Sequence, residues 1–368
     1  MEILKPHLLV GLCGTIAAMA KQEQHVALYR AYRPQSFSEV RGQAHIVDVL
    51  KAAIKNKSIT HAYLFAGTRG TGKTSVARIF AKELGVSDKD LYEIDAASNR
   101  GIDDVRELRD GVHILPFESP YKLYLVDEAH MLTKEAWNAL LKTLEEPPSH
   151  AIFILATTEA HKVPDTIRSR CDVYFFKQPS RTLIAEVIAD IAKSEGYKLE
   201  QSAADLVAIL AEGSFRDAIG ILQKVLTISK DKKVDLEEVE RVTAAPPSRI
   251  VYALADSIAH NARAEALATV HRAIEQDIDA RLLMKLLIQR IRALILMRTA
   301  PEVANLMKTE FTEEEFAALE KLAKEGGTHI TTNTLRSLLE AYETSAYAVL
   351  PHLPLELAII DATTVGEK

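Results

Sequence analysis

The sequence predicts a parallel five-stranded α/β domain carrying a phosphate-binding loop, followed by a small helical domain and a larger all-helical one. Three observations predict it. Gly67-Thr68-Arg69-Gly70-Thr71-Gly72-Lys73-Thr74 fits the pattern G-x-x-x-x-G-K-[ST], between the apolar run Ala62–Ala66 and a helical stretch from Ser75 to Leu84 that Gly85 stops. From Tyr29 to about Phe176 short apolar runs alternate with helical segments, as in a parallel sheet. Beyond Gln178-Pro179-Ser180 the strand pattern stops and apolar residues recur at helical spacing.

Taken in order, residues 1–26 read as a disordered, dispensable extension. Leu8 to Ala20 is mostly apolar but, at thirteen residues, shorter than the roughly 20 that a membrane span needs. Ala18-Met19-Ala20 would suit a signal peptidase, yet nothing downstream looks secreted, and Met19-Ala20-Lys21 would itself make a plausible beginning. Residues 27–178 form the α/β domain, with strands expected at Ala62–Ala66, Leu91–Asp95, Lys122–Val126, Ile152–Ala156 and Val173–Phe176. Residues 179–244 hold four short amphipathic helices, at Arg181–Glu195, Ser202–Glu212, Ser214–Ser229 and Asp235–Thr243. After Ala245-Pro246-Pro247-Ser248 comes the last domain, 245–368. There Leu282, Leu283, Leu286, Leu287, Ile291, Leu294 and Leu296 mark a long helix that serves as core, as an oligomer surface, or as both.

Bulk properties agree with a globular protein of two or three domains in its 368 residues: 48% hydrophobic, 26% charged. A formal net charge of −6 argues against a broadly basic surface but leaves room for a local basic track. Two cysteines, Cys13 and Cys171, exclude a four-cysteine zinc site and point to a reducing compartment.

The chemistry starts at the loop. Its glycines let backbone N–H groups turn onto phosphate oxygens, and the following helix adds its positive N-terminal end. Lys73, expected in a solvent-facing loop, would reach the β- and γ-phosphates, and the Thr74 hydroxyl would ligate Mg²⁺. Tyr121-Lys122-Leu123-Tyr124-Leu125-Val126-Asp127-Glu128 supplies the partner motif, with Asp127 holding Mg²⁺ and Glu128 activating water. Phe153-Ile154-Leu155-Ala156-Thr157-Thr158 is a strand ending in two hydroxyls, either of which could position that water. Arg170 in Ser169-Arg170-Cys171 could be an arginine finger reaching a neighbour's nucleotide, with Arg168 the competing candidate. Arg216, at a helix start, could fold back onto the phosphates.

Together these features resemble the AAA+ clamp-loader ATPases of bacterial DNA polymerase III. The resemblance rests on Tyr29-Arg30-Ala31-Tyr32-Arg33-Pro34, Gly67-Thr68-Arg69-Gly70, Glu93-Ile94-Asp95-Ala96-Ala97-Ser98, Leu140-Leu141-Lys142-Thr143-Leu144-Glu145-Glu146-Pro147-Pro148 and Ser169-Arg170-Cys171. It covers 27–245 clearly and the helical remainder loosely. What it implies is an AAA+ domain, a helical lid at 179–244 and a helical collar at 245–368. It adds Arg33 and Pro34 to the ATP site, assigns Thr158 (or Thr157) as sensor 1, Arg170 as the finger acting in trans and Arg216 as sensor 2. It also implies that Ser98, Asn99 and Arg100, at the start of a helix, face DNA.

The partners so implied are a sliding clamp, other loader subunits in a homo- or hetero-oligomeric ring and primer–template DNA, with no membrane, in the cytoplasm. The cofactors are ATP and Mg²⁺. Members usually carry a four-cysteine zinc module after the loop helix; here only Lys82 to Asp90 lies there, so no zinc is expected. The chain also ends near the collar, like a short form without the extension that binds polymerase and helicase. Two rivals remain. Asp127-Glu128-Ala129-His130 spells a DEAH-helicase box, though such helicases need a second α/β motor domain. A replication factor C-like small subunit is the other, from which Gly67-Thr68-Arg69-Gly70 departs.

Overall fold

A computed structural model describes residues 27–99, 101–229, 231–311, 313–325 and 329–364. The extension expected at 1–26 lies outside them, as does Arg100. Two helices, α1 (Leu28–Ala31) and α2 (Ala44–Lys55), lead into strand β1 (Ala62–Ala66). The chain then alternates through α3 (Lys73–Glu83), β2 (Leu91–Asp95), α4 (Ile102–Val112), β3 (Lys122–Asp127) and α5 (Lys134–Glu145). It closes the sheet with β4 (Ala151–Thr157), α6 (Asp165–Arg168) and β5 (Asp172–Phe175). All five strands run parallel, in the order β2-β3-β4-β1-β5. Each falls within one residue, at either end, of its expected position. Helix α3 starts at Lys73, two residues before the apolar pattern suggested, because Gly72 already supplies its left-handed N-cap.

The inner strands β1 and β4 are buried along their whole length, which explains their unbroken apolar runs. Side chains alternate between two cores. Leu64, Val126, Phe153 and Leu155 meet Trp137 and Leu140 of α5 on one face. Phe65, Leu125 and Ile154 meet Val76 and Phe80 of α3 and Leu50 of α2 on the other. The edge strands β2 and β5 are largely exposed.

Helices α7 (Arg181–Ser194), α8 (Gln201–Leu210), α9 (Phe215–Ile228) and α10 (Leu236–Thr243) follow. Ser180, Ser214 and Asp235 cap three of them, accepting from the N–H groups of Leu183, Asp217 and Glu238. Their core is built from Ile184, Ile188, Val207, Leu222 and Val225. This region is not purely helical as expected: Lys198–Leu199 (β6) and Lys233–Val234 (β7) pair in parallel. Two-residue strands are too short to leave an alternation in the sequence.

The remainder is helical: α11 (Ser248–Ala259), α12 (Arg263–Glu275), α13 (Ala280–Thr299), α14 (Pro301–Leu306), α15 (Glu313–Glu325), α16 (Thr332–Thr344) and α17 (Leu353–Ala362). Leu283, Leu286, Leu287, Ile291 and Leu294 of α13 are buried in this region's own core, with Leu282 and Leu296 packed against it. The leucine stripe therefore serves as core. Exposed apolar side chains lie elsewhere, at Tyr347, Val349, Leu353 and Leu357.

Candidate nucleotide-binding site

The loop between β1 and α3 turns at Gly70 (φ +74°) and Gly72 (φ +100°), in the left-handed region that favours glycine. A Cβ at Gly70 would also run into the Ser214 side chain. The loop is tied to β4 by the Gly67 N–H, which donates to the Thr157 carbonyl at 3.1 Å. Lys73 departs from expectation. It is only 6% exposed, and its Nζ donates to the Gly67 and Thr68 carbonyls at 2.8 and 2.9 Å. Burial pushes its pKa down, opposed by the charges of Glu128 and Asp127.

Because β4 lies between β1 and β3, the carboxyl ends of the three strands adjoin. Thr74 Oγ1 donates to Asp127 Oδ2 at 2.8 Å, and the Glu128 N–H donates to Asp127 Oδ1 at 3.0 Å. Glu128 sits at φ +48°, uncommon for a residue with a side chain. Thr158 Oγ1 donates to Glu128 Oε2 at 3.1 Å. Thr157 is fully buried, with its hydroxyl 3.1 Å from His130 Nδ1 and accepting the Glu159 N–H at 3.0 Å. The two hydroxyls that sequence left open are thus separated: Thr158 reaches the acid and Thr157 braces the turn beside it.

The start of α9 closes the other side. The Phe215 N–H donates to the Gly70 carbonyl at 3.1 Å, and the Arg216 guanidinium lies 5.0 Å over the Tyr29 ring. Arg69 and Asp217 stand 3.8 Å apart. The result is an open cleft of about 1170 Å³, lined among others by Arg33, Pro34, Lys73, Asp127, Glu128 and Arg216. Burial, with Arg78 beside it, pushes the Arg33 guanidinium down, while Glu93 opposes. Arg33, Arg69, Lys73 and Arg216 give the cleft the sign that suits a polyphosphate. The Thr74 hydroxyl and Asp127 carboxylate are the hard oxygen donors that suit Mg²⁺.

Sequence reading missed three lining or bracing groups. Arg78 pairs with Glu93 at 2.5 Å and lies one helical turn beyond Thr74, a spacing that could have revealed it. Tyr29 stacks under Arg216; it opens the Tyr29–Pro34 run, from which only Arg33 and Pro34 were assigned to the site. His130 was visible only as the last letter of a helicase box.

A family model described as DNA polymerase III, delta subunit, matches residues 42–100 and 86–180. The tau subunit of DNA polymerase III from Bacillus subtilis is 39% identical over 314 residues, 80% of this chain and 56% of that protein. The gamma subunit from Buchnera aphidicola is 29% identical over 358 residues, covering 92% of this chain and 98% of that one. The chain is thus similar, over most of its length, to the gamma and tau subunits of DNA polymerase III. It spans a little over half the length of the Bacillus relative. In fold it is similar to the Thermotoga maritima RuvB Holliday junction branch migration motor. That match has a TM-score of 0.50 at 22% identity, over 62% of this chain and 79% of the other. The fold is that of a P-loop AAA+ domain, followed here by helical regions.

Other expected site residues lie outside the cleft. Arg170 is half-buried, paired with Glu145 at 2.7 Å and donating to the Thr166 carbonyl at 2.6 Å. Arg168 is exposed and pairs with Asp165 at 2.5 Å. Ser98 and Asn99 do not open a helix, since α4 begins at Ile102. They form an exposed turn held by Asp95, whose carboxylate accepts from Ser98 Oγ at 3.1 Å and whose carbonyl accepts from Asn99 Nδ2 at 3.2 Å. Among the described residues no helix is long and apolar enough to cross a membrane. Beyond residue 180 the only strand pairing among them is the two-residue pair β6–β7, so they hold no second α/β motor domain.

Proposed function

We propose that this chain is an ATP-hydrolysing motor subunit of a DNA polymerase clamp loader, acting in the cytoplasm within a ring of loader subunits. It would help to open a sliding clamp and place it on primer–template DNA. The observation that carries this reading is the convergence of Thr74, Asp127, Glu128 and Thr158 beside the Lys73 loop. In this role the residues of Gly67–Thr74, with Arg33 and Pro34, bind ATP, and Thr74 and Asp127 hold Mg²⁺. Mg²⁺ held by Thr74 and Asp127 would supply neutralisation of charge on the phosphates. Thr158 occupies one oxygen of Glu128, leaving the other to accept the proton of the attacking water.

Arg216 lines the cleft from the helical region and so reports nucleotide state to that region. Ser98, Asn99 and Arg100 belong to the surface proposed for DNA, where contacts to phosphate make binding salt-dependent and indifferent to sequence. The test is ATPase activity measured with the sliding clamp and primed DNA of the same genome. Stimulation by the two together is expected; no stimulation in any combination of partners overturns the reading.

Arg170 is proposed to act in a neighbour's site. Its Glu145 partner holds the guanidinium ready at the domain surface, and arginine fingers contribute ~10³–10⁵ in rate. Arg170→Ala and Lys73→Ala, each inactive alone, should restore part of the ATPase when mixed. No recovery in mixtures shown to co-assemble would overturn the trans role and favour Arg168 or a role within the same subunit.

A further inference from the structure

We propose that His130 is a positioning residue for Glu128; this rests on the hydrolysis reading above. Glu128 occupies left-handed backbone space, a conformation that persists only where the surroundings over-determine it. Thr158 supplies one such constraint. The other is the His130 ring, held just beyond by the 3₁₀ turn Ala129–Met131. The ring is only 7% exposed and presents a nitrogen to each of two carboxylates. Its Nδ1 lies 3.5 Å from Glu128 Oε2 and 3.1 Å from Thr157 Oγ1, and its Nε2 lies 3.5 Å from Glu159 Oε1.

Each end of this strut is anchored. Thr157 is buried in β4, and Glu159 is held by Lys162 at 2.8 Å and by its own N–H on Thr157. The imidazole therefore ties the water-activating carboxylate to the central strand of the sheet rather than to solvent. The ring faces Glu128, Glu159 and the Thr157 hydroxyl, whereas the Lys73 loop meets Thr157 through its backbone carbonyl, so the ring acts on turnover and not on nucleotide affinity. The Nδ1 edge carries the effect, because that is the edge facing Glu128.

Three variants of the full chain separate this role from a merely structural one. Asparagine places an amide atom where Nδ1 stands, whereas glutamine reaches only the Nε2 position. His130→Ala and His130→Gln should lower kcat on the order of tenfold to a hundredfold, the scale of a misplaced catalytic group, with nucleotide Kd unchanged. His130→Asn should recover most of the wild-type rate. Wild-type kcat in all three, equal losses in the asparagine and glutamine variants, or a parallel loss of nucleotide affinity would each overturn the assignment. Glu128→Gln assayed alongside keeps the two readings apart. If the wild type itself shows no turnover that Glu128→Gln abolishes, hydrolysis fails and the positioning role falls with it. Normal turnover with indifferent His130 variants sinks only the positioning role.

Discussion

Two aspartates at opposite ends of the same sheet do different work. Asp127 ends β3 on the cleft side and is half-buried, accepting one hydroxyl and one N–H. Asp90 stands just before β2 on the far side and is 1% exposed. Its carboxylate accepts the N–H groups of Phe117, Glu118 and Ser119 at 2.5, 3.0 and 2.9 Å, pinning the loop that carries the exposed Ile114, Leu115 and Phe117. Burial alone would raise the Asp90 pKa, but the bonds from Glu118, Phe117 and Ser119 outweigh it and hold the carboxyl well below the usual range. A carboxylate saturated by backbone is a strut. One with lone pairs facing an open cleft remains available to a ligand.

That contrast can be broken most forcefully at the cleft. Glu128→Gln should keep nucleotide binding and lower kcat by ~10²–10⁴, the usual worth of a general base, with little change in melting temperature. Retention of most of the rate would mean that the cleft acids are as structural as Asp90. The aspartates themselves come next. Asp90→Ala should cost roughly 2–3 kcal/mol of stability, because it strands buried N–H donors, while leaving turnover per folded molecule intact. Asp127→Ala should do the reverse, with stability within about 1 kcal/mol of wild type and turnover lost. Chemical denaturation paired with ATPase assays reads both.

Acid sharpens the comparison through the sign of the Asp90 shift. A carboxyl whose folded pKa is depressed stabilises fully above its unfolded value, about 3.9 for aspartate, and loses that contribution as pH falls toward the folded one. The stability difference between wild type and Asp90→Ala should therefore be constant above about pH 5 and shrink below about pH 4. A constant difference down to strong acid would refute the strut.

The smallest expected effect separates two loop glycines. Gly70→Ala meets both positive φ and the Ser214 side chain, and should cost roughly 1–3 kcal/mol while loosening α9 from the loop. Gly72→Ala meets open space and should cost less, from backbone strain alone. Equal melting temperatures would show that Ser214 yields freely.

What the sequence determined by itself is local. Spacing put Lys73 and Thr74 at the junction of loop and helix, and Asp127 and Glu128 at a strand end. The strand pattern located all five strands to within a residue, most plainly for β1 and β4, whose complete burial leaves unbroken hydrophobic stretches. The gamma/tau resemblance was legible for the same reason, since its motifs are short contiguous runs. What only the tertiary structure decided depends on which distant segments pair. Insertion of β4 between β1 and β3 brings Thr158 rather than Thr157 to Glu128 and wedges His130 between two carboxylates. Docking of α9 on the Gly70 carbonyl carries Arg216 over Tyr29, 187 positions away in the chain by their numbers. Burial of the Lys73 ammonium is a nearer effect, arising from carbonyls of its own loop, five and six residues back, that fold over it. Strand order and helix docking are settled by non-local packing and backbone pairing, to which periodicity along a single segment is blind.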